Sequence, residues 1–230
     1  MTSDRLGRIL SQGALGDDPA GVGGRLCRAC VKELEVVGAA LAVVVAGENR
    51  GTLGASDDWT AAVEELQFTL GEGPGLDAAT SGHAVLEPWL AGSERWPQFG
   101  QEAASAGVGA VFAVPLAIGA ARFGALDLYR DRPGPLGDGA FVDAVAVAAV
   151  ATVMVANALS QVPPSPELGL VDILAERRIV VDQATGMVAV QLGVSLEEAL
   201  VALRARSYTD GHPVGVVAAG VVARRIRFDR

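Results

Sequence analysis

The chain is 230 residues long, 50% hydrophobic and 20% charged, which is enough apolar content to bury a core and excludes wholesale disorder. Its net charge of −9 speaks against nonspecific nucleic-acid binding by the whole surface. The two Cys form a C-x-x-C at Cys27 and Cys30, but the two His, His83 and His212, lack the paired spacing that would complete a four-ligand zinc site. The charge is unevenly spread: from Glu176 onward eight Arg face six acids, whereas the preceding part carries ten basic residues against 21 acids. That pattern suits an acidic module joined to a mildly basic binding tip.

Residues 1–24 read as a short helix and a Gly/Asp/Pro loop, with charges throughout Met1 to Gln12 and no apolar core of a secretory signal. Gly23 to Val37 is predicted helical, with Leu26, Cys30, Val31 and Leu34 on one face. Cys27 and Cys30 fall mid-helix, so they read as packing residues and not as a redox pair at a helix start. Ala39 to Ala46 is a Val-rich central strand, and Gly51 to Ala55 pairs back on it as an edge strand. Asp57 to Phe68 is an amphipathic helix. Gly71 to Gly75 lacks the Lys-Ser/Thr of a phosphate-cradling loop and reads as a tight turn opening a helix at Pro74.

A short apolar segment follows at His83 to Glu87, then a helix from Arg95-Trp96-Pro97 through Ala106. Gly109 to Ile118 and Arg122 to Tyr129 form a hairpin. The alternation places Phe123, Ala125, Asp127 and Tyr129 on one face and Leu126 and Leu128 on the other. A long Ala/Val helix runs from about Asp138 to Leu159. Its uncharged stretch, Ala144 to Gln161, is long enough to raise a membrane span, but Thr152, Asn157 and Ser160 and the lack of flanking basic residues favour a buried or dimer-forming helix. A cytoplasmic protein is expected. Pro163-Pro164-Ser165-Pro166 is a stiff linker.

The remaining stretch holds three helical patterns. The first runs to about Leu192 with Ile179, Val180, Ala184, Met187 and Val188 near helical spacing. The second opens on a capping box, Ser195 with Glu198, and repeats Leu196, Ala199, Leu200 and Leu203. The third starts near Pro213 and ends in Arg224, Arg225 and Arg227. The fold class is α+β: an antiparallel sheet flanked by helices over 25–160, a linker at 161–167, and an all-α three-helix bundle over 168–228.

Arg178, Val181, Ala184 and Gly186, followed by Ala199, Leu203, Arg204, Ser207 and Ala218, resemble the ANTAR domain, an RNA-binding module of bacterial antitermination regulators. Thr185 departs from that pattern, which carries a basic residue there. Leu70 to Gly75 (LGEGPG), Arg95-Trp96-Pro97 with Phe99, and Val114-Pro115-Leu116 leading to Gly124–Tyr129 resemble a GAF domain of the kind fused to ANTAR in actinobacterial regulators. Gly75 stands where related domains often carry Cys.

The resemblance implies a non-enzymatic, signal-responsive regulator that binds two-hairpin RNA as a homodimer and promotes transcription antitermination. Neither motif set is catalytic, and no G-x-S-x-G elbow or HExxH is present. No cofactor is expected beyond a possible small-molecule ligand in a pocket lined by Trp59, Trp89, Phe112 and Tyr129. For RNA, Arg178, Arg204 and Arg206 would supply charge and stacking planes, Gln183 and Thr185 hydrogen bonds, and Gly186 close approach. Tyr208 would stack on a base or cap the bundle, and the terminal arginines would complement the last helix's dipole. Two other readings stay open: a helix-turn-helix binding DNA, and a bundle that contacts a protein partner.

Overall fold

The computed structural model describes residues 2–14, 21–45, 48–160 and 169–229. The Pro163–Pro166 linker lies outside these residues, as does the side chain of Arg178. The N-terminal part comprises α1 (Thr2–Ala14), α2 (Gly21–Glu33), β1 (Gly38–Val45), β2 (Glu48–Ala55), α3 (Asp58–Leu70), α4 (Pro74–Ser81), β3 (Val85–Glu87), a 3-10 turn at Leu90–Gly92, α5 (Pro97–Ser105), β4 (Ala110–Ile118), β5 (Ala121–Arg130) and α6 (Asp138–Ser160). The C-terminal part comprises α7 (Gly169–Leu192), α8 (Leu196–Asp210) and α9 (Val214–Val222).

The five strands form one antiparallel sheet in the order β2-β1-β5-β4-β3. Each face of this sheet has its own core, because strand side chains alternate between faces. On one face α1, α2 and α6 cover Leu41, Val43, Phe112, Val114, Leu116, Leu126 and Leu128. On the other, α3, α4 and α5 cover Val111, Ala113, Ala125 and Tyr129. Phe123 departs from the predicted alternation: it packs with Leu126 and not with Ala125. A register shift between Leu116 and Ala117, opposite Gly124 at φ 150°, reverses the faces there, as a bulge does.

By length and composition α6 could cross a membrane. Its Ala144, Val147, Ala148, Ala151 and Val155 are instead buried against the sheet, so the helix is a layer of this domain. Cys27 and Cys30 lie mid-helix in α2 as free, buried thiols. Burial raises both, Cys30 to about 12, which leaves them protonated and unreactive at neutral pH.

In the C-terminal bundle, Val181, Ala184 and Val188 of α7, Ala199 and Leu203 of α8, and Val214, Val217, Ala218 and Val221 of α9 form the core. Ile179 and Leu196, expected on apolar faces, are exposed. Both ends of α8 follow their local signals: Ser195 and Glu198 make the capping box, and Gly211 closes the helix in the left-handed conformation at φ 65°. Such caps each contribute about 1 kcal/mol. α9 stops at Val222, so the terminal arginines lie beyond the helix.

Candidate functional site

The helical layer over β4 and β5 carries a fully buried polar cluster. Glu64 and Gln67 project from α3, one turn apart, onto Asp127 and Tyr129 of β5. The Gln67 amide nitrogen donates to Asp127 Oδ2 at 3.1 Å and to the Tyr129 hydroxyl at 2.9 Å. Its amide oxygen accepts from the Gly75 N–H at 2.9 Å, and the Tyr129 hydroxyl donates to Glu64. Glu64 Oε2 and Asp127 Oδ1 have no hydrogen-bond partner among the described residues. Burial, reinforced at Glu64 by the charge of Asp127, pushes Glu64 well above the usual carboxylate range; burial brings Asp127 to about 7. Two adjacent buried carboxyls hold a proton between them because both cannot ionise without a counter-charge.

The LGEGPG run builds the entry to this cluster. Gly71 caps α3, and Glu72 Oε1 accepts from the Gln98 and Phe99 N–H groups at 2.9 and 2.8 Å, capping α5. Pro74 starts α4. A Cβ on Gly75 would collide with the Asp127 carboxylate, so the cluster itself excludes a cysteine at that position. The Arg95-Trp96 pair locks the same layer: the Trp96 indole N–H donates to Asp77 Oδ2 at 3.1 Å, and the Arg95 guanidinium pairs with that oxygen and stacks on the Trp96 ring.

The four aromatics expected to line a ligand pocket are not brought together. Tyr129 is in the cluster, with Trp59 edge-on to its ring at 6.2 Å, and the Trp59 indole N–H donates to the Ala106 carbonyl. Phe112 lies in the core on the opposite face of the sheet, since adjacent strand positions point apart. Trp89 is 62% exposed. Sequence patterns alone did not bring Glu64, Gln67 and Asp127 together as a unit; the signal was polar residues at positions that the helix and strand periods assign to the interior.

The residues expected at an RNA surface fall into separate groups. Gln183 and Gly186 share an outward face of α7. Thr185 is buried, its hydroxyl donating to the Val181 carbonyl at 2.8 Å, so it is turned into the bundle. Arg206 pairs with Asp210 at 2.6 Å. Arg204 and Tyr208 face the N-terminal domain. The Arg204 guanidinium sits over Gly71, where a Cβ would come within 2.5 Å of it, and the Tyr208 hydroxyl donates to Glu102 at 3.3 Å. Phe68 of α3 packs into the core of the C-terminal bundle, and the Val214 N–H donates to the Thr69 hydroxyl at 3.4 Å. Thus α3 holds the polar cluster on its inner face and the bundle on its outer one.

The ANTAR domain family model matches residues 174–222. Among solved structures, the GAF domain from an Acinetobacter phosphoenolpyruvate-protein phosphotransferase is 13% identical at a TM-score of 0.56, covering 70% of this chain and 96% of that one. The GAF domain of a Coxiella burnetii phosphoenolpyruvate-protein phosphotransferase is 12% identical at 0.55, covering 69% and 95%. No curated protein matches.

Proposed function

We propose, from an ANTAR domain at 174–222 carried on a domain of the GAF fold, that the protein is a signal-responsive regulator. It binds structured RNA hairpins through its C-terminal bundle and promotes antitermination, with no catalytic step of its own. The ANTAR match is the observation that carries this reading. α9, composed of Val, Ala and Gly, offers no polar side chain to a DNA groove.

Two features describe how it is controlled. Arg204 and Tyr208 lie against the N-terminal domain, so the docked arrangement covers part of the RNA set, and a signal acts by releasing it. Val142, Val145, Val150 and Val153 form an exposed apolar stripe on α6. A homodimer along this stripe presents two bundles to two hairpins, and the second hairpin then binds at a raised effective concentration.

The test is binding of a two-hairpin RNA across a salt series by wild type and the Arg178→Ala/Arg204→Ala variant. The expected result is salt-sensitive binding that weakens in the variant, with a salt slope shallower by about 0.7 for each phosphate of unpaired RNA that the variant leaves unneutralised. No RNA affinity at low salt, with or without a deletion of the N-terminal domain, refutes the reading.

A further inference from the structure

Beyond α9 the chain turns back on α7. Arg224 adopts a left-handed φ of 58°, a conformation that costs a non-glycine residue energy. The Arg225 and Ile226 N–H groups donate to the Gly220 carbonyl at 2.8 and 3.1 Å, and the Phe228 N–H donates to Gln191 Oε1 at 2.8 Å. The tail is therefore pinned along the helix. Between them lies a groove of about 410 Å³, with Met187 and Gln191 on the α7 side and Arg224, Arg227 and Phe228 on the tail side. It continues along α7 past Gly186 to Gln183 and Val190.

Three observations mark this groove as a binding surface. Arg224, Arg225 and Arg227 make no ion pair among the described residues, in a chain whose net charge is −9; Asp229 is the acid beside them. Val190 stands 83% exposed on the same face. Gly186, within a helix, has nothing within 4 Å of where a Cβ would be. A helical glycine costs about 1 kcal/mol relative to Ala, and no neighbour in the bundle requires it.

We propose that this groove takes an unpaired loop nucleotide of the RNA, an assignment that rests on the RNA reading above. Arg224 and Arg227 meet its phosphate, Phe228 and Met187 supply the apolar face for its base, and Gly186 lets the adjoining backbone approach. An apolar floor edged by guanidinium groups matches a splayed base with its phosphate better than it matches a duplex. This places the tail among the RNA-contacting elements.

The test uses the full chain and a two-hairpin RNA, followed by fluorescence anisotropy across salt. Arg224→Gln/Arg227→Gln is expected to weaken binding about tenfold and lower the salt slope by about 0.7, the value for the one phosphate of unpaired RNA that the pair meets. Arg225→Gln removes a charge of the same kind off the groove and should have less than half that effect. Phe228→Ala should weaken binding about fivefold at an unchanged salt slope. Gly186→Ala should raise the thermal midpoint and lower affinity together, a combination that a purely structural role does not produce. Wild-type affinity in Arg224→Gln/Arg227→Gln, with weakened binding in Arg204→Ala, overturns this assignment, leaves the RNA reading intact and gives the groove to a protein segment. Competition by mononucleotides at micromolar concentration also overturns it, in favour of a free nucleotide. If wild type binds no RNA at low salt, this assignment and the RNA reading fall together.

Discussion

Buried carboxyls decide the pH behaviour of the N-terminal domain. Glu64 and Asp127 are fully enclosed, with Gln67, Tyr129 and the Gly75 amide around them and Cys27 across the sheet. Both carboxyls are raised in the fold, Asp127 from 3.8 to about 7. Between those values the folded state holds protons that the unfolded chain has released, so stability falls as pH rises, by up to about 1.4 kcal/mol per pH unit for each group. For Asp127 the contribution is fully present only below the unfolded value of 3.8 and is lost as pH rises to about 7. Glu64→Gln keeps an acceptor for Tyr129 and supplies a donor to Asp127. It should raise the midpoint of denaturant unfolding at pH 8 and flatten its pH dependence between pH 5 and 8. An unchanged pH profile would show that the pair does not share a proton. This cluster was only half legible beforehand, because Glu64 looks like one more acid on an amphipathic helix until Asp127 is brought opposite it.

Helix α6 shows how one element serves two surfaces. Its inner face, Ala144, Val147, Ala151 and Val155, belongs to the sheet's core, while Val142, Val145, Val150 and Val153 face outward. Asp143, buried at the junction with α1, is balanced by Arg5 at 3.4 Å. From Ala144 onward α6 carries no charge, and a helical stretch apolar all round either sits in a core or meets a partner. Val145→Glu/Val153→Glu puts two charges on the outer stripe without touching the inner one. If wild type dimerises along this stripe as proposed, the expected outcome is a folded monomer in light scattering at concentrations where wild type associates, with association weakened at least about 100-fold. A wild-type chain that remains monomeric at every concentration counts against the stripe as a dimer contact. The Ala/Val-rich composition made the helix obvious and the division of its faces invisible.

The docking of the bundle on α3 and α5 joins the two modules at the scale of the whole molecule. Phe68, Thr69 and Gly71, at the end of α3, touch the bundle, while Glu64 and Gln67 of the same helix hold the polar cluster. A change in that cluster which shifts α3 therefore reaches the bundle without an intermediary. Phe68→Ala removes the aromatic side chain that packs into the bundle core and should loosen the docking by about 1.4 kcal/mol, so that RNA affinity rises up to about tenfold. Amide exchange over 196–210 is the direct readout. Protection there that matches wild type would show that docking does not depend on Phe68.

Local rules were enough for the elements themselves. The Ser195 box, Pro74 and Pro97 at helix starts, the β4–β5 hairpin and the capping glycines are interactions between residues a few positions apart, and these the sequence determined alone. It also placed Arg178, Gln183 and Gly186 on one helix, because helical period needs no partner. Tertiary structure decided everything that depends on which elements meet. It separated Phe112 from Tyr129 by the thickness of the sheet, turned Thr185 into the bundle, set Arg204 and Tyr208 against a second domain, and folded the tail arginines onto α7. These outcomes depend on contacts between distant segments, whose free energies come from burial and charge pairing and are not fixed by local periodicity alone.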